Sequence, residues 1–249
     1  MNAILRSELL KQRTTRTNVG LALGLVGLLL FIVLLHAVNL PANELERRSG
    51  QLMVFGWGTA IGTLFAALLG ALSITGEFRY GTIRPTLLTT PGRARVIAAK
   101  VCASALTGSV LGLLAGALAA SSGSVALAAR GIDIQLSVSD YALLIGGGAV
   151  AASFWAAIGV GIGALVRDQT VSIAGICAWM LLVEPLLLAN LSDETRYAPA
   201  AAAGALAGAT APMHLPDLFN PAIGALLLAV YATVIAAAGS TVMARRDIT

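Results

Sequence analysis

The stretch VGLALGLVGLLLFIVLLHAVNL, residues 19–40, contains no Asp, Glu, Lys or Arg. A helix needs about 20 predominantly apolar residues to cross the hydrocarbon core of a bilayer, so this stretch by itself predicts a transmembrane helix. The rest of the 249-residue chain agrees, because 57% of its residues are hydrophobic and 11% are charged, whereas about a quarter of a soluble domain is charged. The sequence therefore predicts an all-α integral membrane protein.

Further apolar stretches predict a single transmembrane domain, residues 1–249, with six spans. The first stretch is longer than the usual 7–15-residue core of a signal peptide, so we expect it to be retained as a helix. Residues 198–213 are apolar but short and are bounded by Pro199 and Pro212. We expect them to form a re-entrant or surface helix in the outer loop between spans five and six. The predicted spans are residues 19–40, 53–74, 96–120, 141–166, 171–191 and 221–244.

The distribution of positive charge supports six spans with both termini in the cytoplasm, because cytoplasmic loops carry an excess of Lys and Arg. With this topology the outer segments hold only Arg47, Arg48, Arg130 and Arg196. A seventh span would move the C-terminal arginines outside and weaken the bias. The residues predicted to be cytoplasmic are Arg6, Lys11, Arg13, Arg16, Arg79, Arg84, Arg93, Arg95, Lys100, Arg167, Arg245 and Arg246.

Catalytic and cofactor motifs are not evident in the sequence. A phosphate-binding P-loop needs a lysine directly after a glycine, and neither Lys11 nor Lys100 follows one. A metal site needs clustered His, Cys or carboxylate side chains, and His36 and His214 lie far apart in the sequence. We therefore expect no catalytic residue, no cofactor and no metal in this chain, and no nucleic-acid partner.

Two features inside the predicted spans each have two interpretations. Gly108, Gly112 and Gly116 repeat at every turn of span three, which favours either ordinary packing in the bundle or a sliding or dimer interface. Glu184 is a carboxylate inside span five, and such residues are functional candidates by default. Because Pro185 follows directly, we expect a break in the helix. Glu184 then either caps the exposed amides of that break or lines the outer part of a translocation path.

The predicted cytoplasmic side has two further features. Residues 1–18 can form an amphipathic helix along an anionic inner leaflet, although cations that merely flank the first span would look the same. The stretch GEFRYGTIRPTLLTTPGRARVIAAK, residues 76–100, carries five of the sixteen cations and is too long for a plain turn between spans two and three. A short helix there, with both charged and apolar surface, is typical of a docking element. Binding of lipid head groups by its arginines is the alternative.

Within this stretch, residues 77–100 have the pattern E-x-R-x-G-T-I-R-x-x-L-L-x-x-P-x-R-x-x-x-x-x-x-K. This pattern resembles the segment between spans two and three of type-2 ATP-binding cassette (ABC) exporter permeases. The likeness extends to the polar N-terminal helix, to the six spans, and to Glu184-Pro185 and Ala198-Pro199, which resemble the E-P and A-P elements of bacterial members. Pro85 departs from the pattern, because proline is unusual inside a coupling helix.

The resemblance implies a permease subunit of an ABC exporter for a hydrophobic or amphipathic substrate, in the plasma membrane and specifically a bacterial inner membrane. It implies a second permease chain, identical or related, and a separate ATPase subunit that binds ATP and Mg. The residues placed at the ATPase-facing helix, which the N-terminal helix braces, are Glu77, Arg79, Thr82, Ile83 and Arg84. A non-transporting scaffold or sensor that recruits a cytoplasmic partner through the same loop is the alternative, and an intramembrane enzyme comes third.

Overall fold

The computed structural model describes residues 2–82, 93–190, 194–209 and 218–245, and these ranges contain helices and no strand. The short helix α3 (Ala42–Leu45) lies between the long helices α2 (Arg16–Asn39) and α4 (Arg48–Arg79). A 3₁₀ turn, Glu194–Tyr197, precedes the short helix α8 (Pro199–Ala207). The helix α7 has three consecutive parts, Gln169–Ala178, a π-helical turn Trp179–Val183, and Glu184–Asn190. The others are α1 (Asn2–Thr14), α5 (Arg93–Ala129), α6 (Val138–Val166) and α9 (Pro221–Arg245).

Six of these helices, α2, α4, α5, α6, α7 and α9, are long and apolar enough to cross a membrane. The prediction of an all-α protein with six apolar helices is therefore confirmed. The helices α4 and α5 are longer than the predicted spans 53–74 and 96–120. In the C-terminal extension of α4, Glu77 pairs with Lys11 of α1. The predicted re-entrant or surface piece, 198–213, contains α8, which is mostly buried; its residues 210–213 lie outside the described ranges.

Polar contacts between helix ends show how the bundle is arranged. Arg79 in the last turn of α4 donates to Gln169 Oε1 in the first turn of α7, at 3.3 Å. Arg167 after the end of α6 donates to the carbonyl of Val242 near the end of α9, at 3.2 Å. The helix α1 lies at this same end, which we call the α1 end. Both described chain termini are therefore at one end of the bundle.

The opposite end is fixed by Gln51 in the first turn of α4. Its side chain is fully buried, donates to the carbonyls of Leu45 and Asp133 at 2.9 Å, and accepts from the amide of Gln135 at 2.8 Å. Arg48, one turn earlier, pairs with Asp140 at the start of α6. These contacts join the loops that precede α4 and α6, so the helices stay in register at this end.

Close contacts between small residues hold α4, α5 and α6 together as the centre of the bundle. The apolar window of α4 is 83% buried, against 17% for α7. A Cβ added at Gly159 of α6 would collide with the carbonyl of Ala67 on α4, and one at Gly70 would collide with the carbonyl of Ala156. Backbones approach this closely only where a side chain is absent.

The glycines predicted on span three lie at the contact between α5 and α6. A Cβ at Gly108 would lie 2.7 Å from the Ala156 Cβ, and one at Gly112 would lie 2.7 Å from the Ala149 Cα. At Gly116 it would lie 3.0 Å from the Ile145 Cα. This geometry supports the interpretation that these glycines serve packing within the bundle.

Candidate functional site

Four charged side chains meet at the α1 end, and we call them the charge cluster: Glu8 and Lys11 on α1, Glu77 on α4 and Lys100 on α5. Lys100 is fully buried. Its Nζ donates to Glu8 Oε2 at 2.7 Å, to Glu77 Oε1 at 2.8 Å and to the carbonyl of Ser73 at 3.1 Å. All three N–H bonds of the ammonium group can therefore be used, and one side chain ties three helices together.

Lys11 closes the outer edge of the charge cluster. Its Nζ donates to Glu8 Oε1 at 2.8 Å and to Glu77 Oε1 at 2.9 Å. About half of the Lys11 side chain is exposed, whereas the side chains of Glu8 and Glu77 are 3% and 10% exposed. The cluster contains two carboxylates and two ammonium groups, so it carries no net charge. Neutrality matters here, because an unpaired buried charge costs several kcal/mol.

Uncharged hydrogen bonds continue the contact between α1 and α5 beyond the charge cluster. Gln12 is buried and donates to Ser104 Oγ at 2.8 Å, while Thr107 donates to Gln12 Oε1 at 2.6 Å. Ser104 in turn donates to Ser73 Oγ on α4 at 3.3 Å. Since Glu8 faces Lys100 and Gln12 faces Ser104, this part of α1 runs alongside α5 in the same direction.

The protonation states in α1 follow from these contacts. Burial by itself would raise the pKa of Glu8, but the ammonium groups of Lys100 and Lys11 outweigh burial, so the pKa lies below its usual value. Burial would lower the pKa of Lys11, yet hydrogen bonds to Glu8 and Glu77 raise it. Because its pKa falls on folding, Glu8 contributes stability at neutral pH that is lost as the pH falls through the folded-state pKa.

The two lysines of this cluster are the only lysines in the chain, which otherwise uses arginine. An ammonium group is compact and has three donors on one atom, whereas the planar guanidinium of arginine spreads its donors over a wide fork. The space between Glu8, Glu77 and the carbonyl of Ser73 suits the compact group. This is the signal by which the sequence could have identified Lys100. The predicted site residues include neither Lys100 nor its neighbours Glu8, Lys11, Gln12, Ser104 and Thr107.

Of the residues predicted to couple to an ATPase, the structure describes Glu77 and Arg79 in the last turn of α4 and Thr82 shortly after it. Glu77 belongs to the charge cluster, and Arg79 binds Gln169 and stacks over the Tyr80 ring at 5.9 Å. Thr82 is the last described residue before the gap at 83–92. Ile83 and Arg84, like Pro85, lie outside the described residues. Of Glu77, Arg79 and Thr82, only Glu77 is buried, and it pairs with Lys11 of α1 and Lys100 of α5.

Glu184 and Pro185 lie in a different part of the bundle from the charge cluster. Glu184 is fully buried, and its Oε1 accepts a 2.5 Å hydrogen bond from the amide of Ala200 near the N-terminus of α8. Glu184 itself is helical, with φ −64° and ψ −45°, so the predicted break at Pro185 is wrong. The π-helical turn Trp179–Val183 accommodates Pro185, because it widens the turn in which the proline ring would meet a carbonyl.

The hydrogen bond to Ala200 supports the capping interpretation of Glu184, although the helix that is capped is α8 and not the C-terminal part of α7. The helix α8 lies inside the bundle, since a Cβ at Gly147 of α6 would collide with the Leu206 carbonyl. Tyr231 in the middle of α9 donates to the carbonyl of Tyr197 at 2.9 Å. The segment before α8 therefore reaches the middle of α9, as a re-entrant piece would.

The charge cluster joins three helices through buried ion pairs. Within the ranges that the structure describes, no group of three or more His, Cys, Asp or Glu side chains could hold a metal ion. What the cluster can do is hold α4 and α5, the two helices on either side of residues 83–92, against α1. Neither a family model nor a curated protein matches the chain, so the resemblance to ABC permeases stays a prediction.

Proposed function

We propose that this chain is the transmembrane permease subunit of an ABC exporter, driven by a separate ATPase subunit that docks at residues 76–100. The observation that carries the proposal is the charge cluster, which joins the two ends of that segment. Glu77 and Lys100 lie near its first and last residues, 23 positions apart, and their side chains meet at 2.8 Å. The topology with the α1 end in the cytoplasm is part of the proposal, and the positive-inside bias supports it.

A partner that pushes on the loop would move α4 and α5 together, because Lys100 joins them to each other and to α1. These helices pack against α6 through glycine contacts that leave little room for independent sliding. A displacement at the loop would therefore reach the centre of the bundle. Such coupling needs a partner whose affinity for two arrangements of the loop differs, since a ligand shifts an equilibrium only by its differential affinity.

The proposal assigns the other parts of the transport cycle to partners. The ATPase subunit binds ATP and Mg, and a second permease chain, identical or related, completes the pathway for a hydrophobic or amphipathic substrate. The apolar side chains exposed on α2 and α7, such as Phe31 and Leu186 at 63% each, are available to lipid and to that second chain. The membrane is proposed to be a bacterial inner membrane, with lipids in contact around the bundle.

Charge reversal of Arg84 tests the docking assignment. We expect Arg84→Glu to reduce the amount of ATPase that co-purifies with the chain by about tenfold or more, which corresponds to about 1.4 kcal/mol of binding free energy. Membrane insertion should not change, because Arg84 lies in the sequence between the predicted spans 53–74 and 96–120. Quantitative mass spectrometry of the purified complex measures both quantities.

Arg47→Glu is the matched control, since Arg47 is an exposed arginine at the opposite end of the bundle. It should leave ATPase recovery unchanged. Wild-type recovery and wild-type ATP turnover in Arg84→Glu would contradict the assignment. Binding of an ATPase without substrate-stimulated turnover in vesicles would instead support the scaffold or sensor, and hydrolysis of a substrate by the isolated chain would support an enzyme.

A further inference from the structure

A cavity of about 590 Å³ lies beside the charge cluster, where α1 meets α2, α4 ends and α7 begins. The strongly exposed apolar surface of α2 starts just beyond it, with Val19 at 54% and Leu23 at 68% exposed. The cavity therefore lies at the level where an apolar, lipid-facing surface gives way to polar residues, which is the level of lipid head groups. Its lining includes Lys11, Thr15, Thr17, Asn18, Glu77 and Gln169.

One side of this cavity favours an anionic group. The helix α2 begins at Arg16 without a side-chain cap at Thr15 and without an acidic residue in its first turn. The amide groups at a helix N-terminus attract anions such as phosphate. Lys11 lines the same cavity, and two of its N–H bonds are used by Glu8 and Glu77, so its third N–H is available. The Thr17 hydroxyl, which lines the cavity, makes no hydrogen bond to the described residues.

The other side favours a hydrogen-bond donor. Glu77 is only 9% exposed, and its Oε1 accepts from both Lys11 and Lys100. Its Oε2 is buried and has no hydrogen-bond partner among the described residues. A buried acceptor without a donor is unfavourable. Rotation about the terminal torsion of a glutamate is soft, so a small turn of the carboxylate presents an oxygen to the cavity.

The charged side chains that line the cavity, Glu8, Lys11 and Glu77, sum to zero net charge together with Lys100, which pairs with both carboxylates. A ligand with a net charge would upset this balance, whereas a zwitterion would keep it. The ligand must carry an anionic group for Lys11 and α2, and a cationic group with N–H bonds for Glu77. A trimethylammonium group fails the second requirement, since it has no N–H bond to donate.

We propose that the cavity binds the head group of a phospholipid that carries a primary ammonium beside its phosphate, as phosphatidylethanolamine does. The phosphate lies against Lys11 and the first amides of α2, and the ammonium donates to Glu77. The bound lipid then supports the joint between α1, α2 and α4. This inference depends on the fold and on the charge cluster, and it holds or fails separately from the proposed transport function.

The test measures which lipid the full-length chain retains. The protein is equilibrated in nanodiscs with equal amounts of phosphatidylethanolamine and phosphatidylcholine of the same acyl chains, and retained lipid is counted by native mass spectrometry. We expect a preference for phosphatidylethanolamine of about tenfold, the size of one or two charge-assisted hydrogen bonds. Lys11→Gln and Thr17→Val should both reduce this preference severalfold.

Arg13→Gln is the matched control, because Arg13 is an exposed cation on the same helix and does not line the cavity. It should keep the wild-type preference. Equal retention of the two lipids by the wild type, or equal losses in Lys11→Gln and Arg13→Gln, would overturn the proposal. Thr17→Val keeps the test decisive if Lys11→Gln unfolds, since Thr17 contacts no member of the charge cluster through a hydrogen bond.

A final arm separates a lipid from a soluble zwitterion. Free phosphoethanolamine at the concentration of the lipid should not displace bound phosphatidylethanolamine, because it lacks the acyl chains that hold the lipid at the level of the cavity. Displacement at equal concentration would contradict the lipid assignment and would give the cavity to a soluble ligand.

Discussion

Replacing Lys100 by methionine is expected to lower the free energy of unfolding by about 3–5 kcal/mol, the usual cost of removing one partner from a buried ion pair. Methionine keeps the length of the side chain and removes its charge. The carboxylates of Glu8 and Glu77, which both contact the Lys100 ammonium, would then face each other with only Lys11 between them. Chemical denaturation in a defined detergent measures the change.

A local readout separates loss of the charge cluster from general damage. In Lys100→Met, α1 should detach, so that proteases cleave within residues 2–14 much faster than in the wild type. Arg95→Met is the control, since Arg95 is an exposed cation on the same helix. Adding Glu8→Gln and Glu77→Gln to Lys100→Met should restore much of the stability, because no buried charge then lacks a partner.

The interpretation of the charge cluster would be wrong if Lys100→Met unfolded at the same denaturant concentration as the wild type. It would also be wrong if the two added glutamines destabilised the chain further. Either result would mean that the ammonium of Lys100 is not what holds α1 against α4 and α5.

Alanine at Gly159 is expected to have the next largest effect, a loss of about 2–3 kcal/mol, which is typical of overpacking in a close-packed interior. Its Cβ would collide with the backbone carbonyl of Ala67 on α4, and a backbone group cannot turn aside as a side chain can. The two central helices would have to separate. Thermal unfolding of the purified chain measures the loss.

Gly27→Ala is the matched control for this substitution. Gly27 lies inside α2, and a Cβ there would have no other atom within 4 Å. Because alanine is the better helix former by about 1 kcal/mol, this variant should be as stable as the wild type or slightly more stable. A Gly159→Ala variant that behaves like Gly27→Ala would show that α4 and α6 are farther apart than described.

The sequence was sufficient to predict the six long helices, since span length and apolar composition are local properties of the chain. It did not predict the charge cluster, because residues 8, 11, 77 and 100 come together only when three helices pack. Glu8 looked like an ordinary charge before the first span, and Lys100 looked like one of the cations at the start of span three. The positive-inside rule assigned Lys100 to the cytoplasmic side, but it gave no reason to expect full burial.

Proline and acidic residues inside spans were interpreted from local rules, and tertiary contacts changed the outcome. Pro185 was expected to break the helix, but a π-helical turn before it lets α7 continue. Glu184 was expected to cap that break or to line a path, and it instead accepts from Ala200 on α8. A contact between residues 16 positions apart in the sequence has no local signature, apart from an acidic residue in an apolar stretch.

The charge cluster and the glycine contacts together suggest how the proposed subunit would transmit force. Lys100 joins α1, α4 and α5 at the α1 end, and Gly70, Gly112 and Gly159 join α4, α5 and α6 in the centre. In the described part of the chain, α4 and α5 are thus the only two consecutive long helices that a buried lysine ties together. A partner that docks on the segment between them would act on the bundle as a whole.

Photo-crosslinking from position 82 in native membranes tests the central claim most directly. Thr82 is a described residue within the proposed docking segment 76–100, and Val138, 86% exposed at the opposite end, is the control position. The account predicts that a crosslinker at position 82 forms an adduct with a P-loop ATPase subunit and that one at position 138 does not. The absence of an ATPase adduct from position 82, or the same ATPase adduct from both positions, would contradict it.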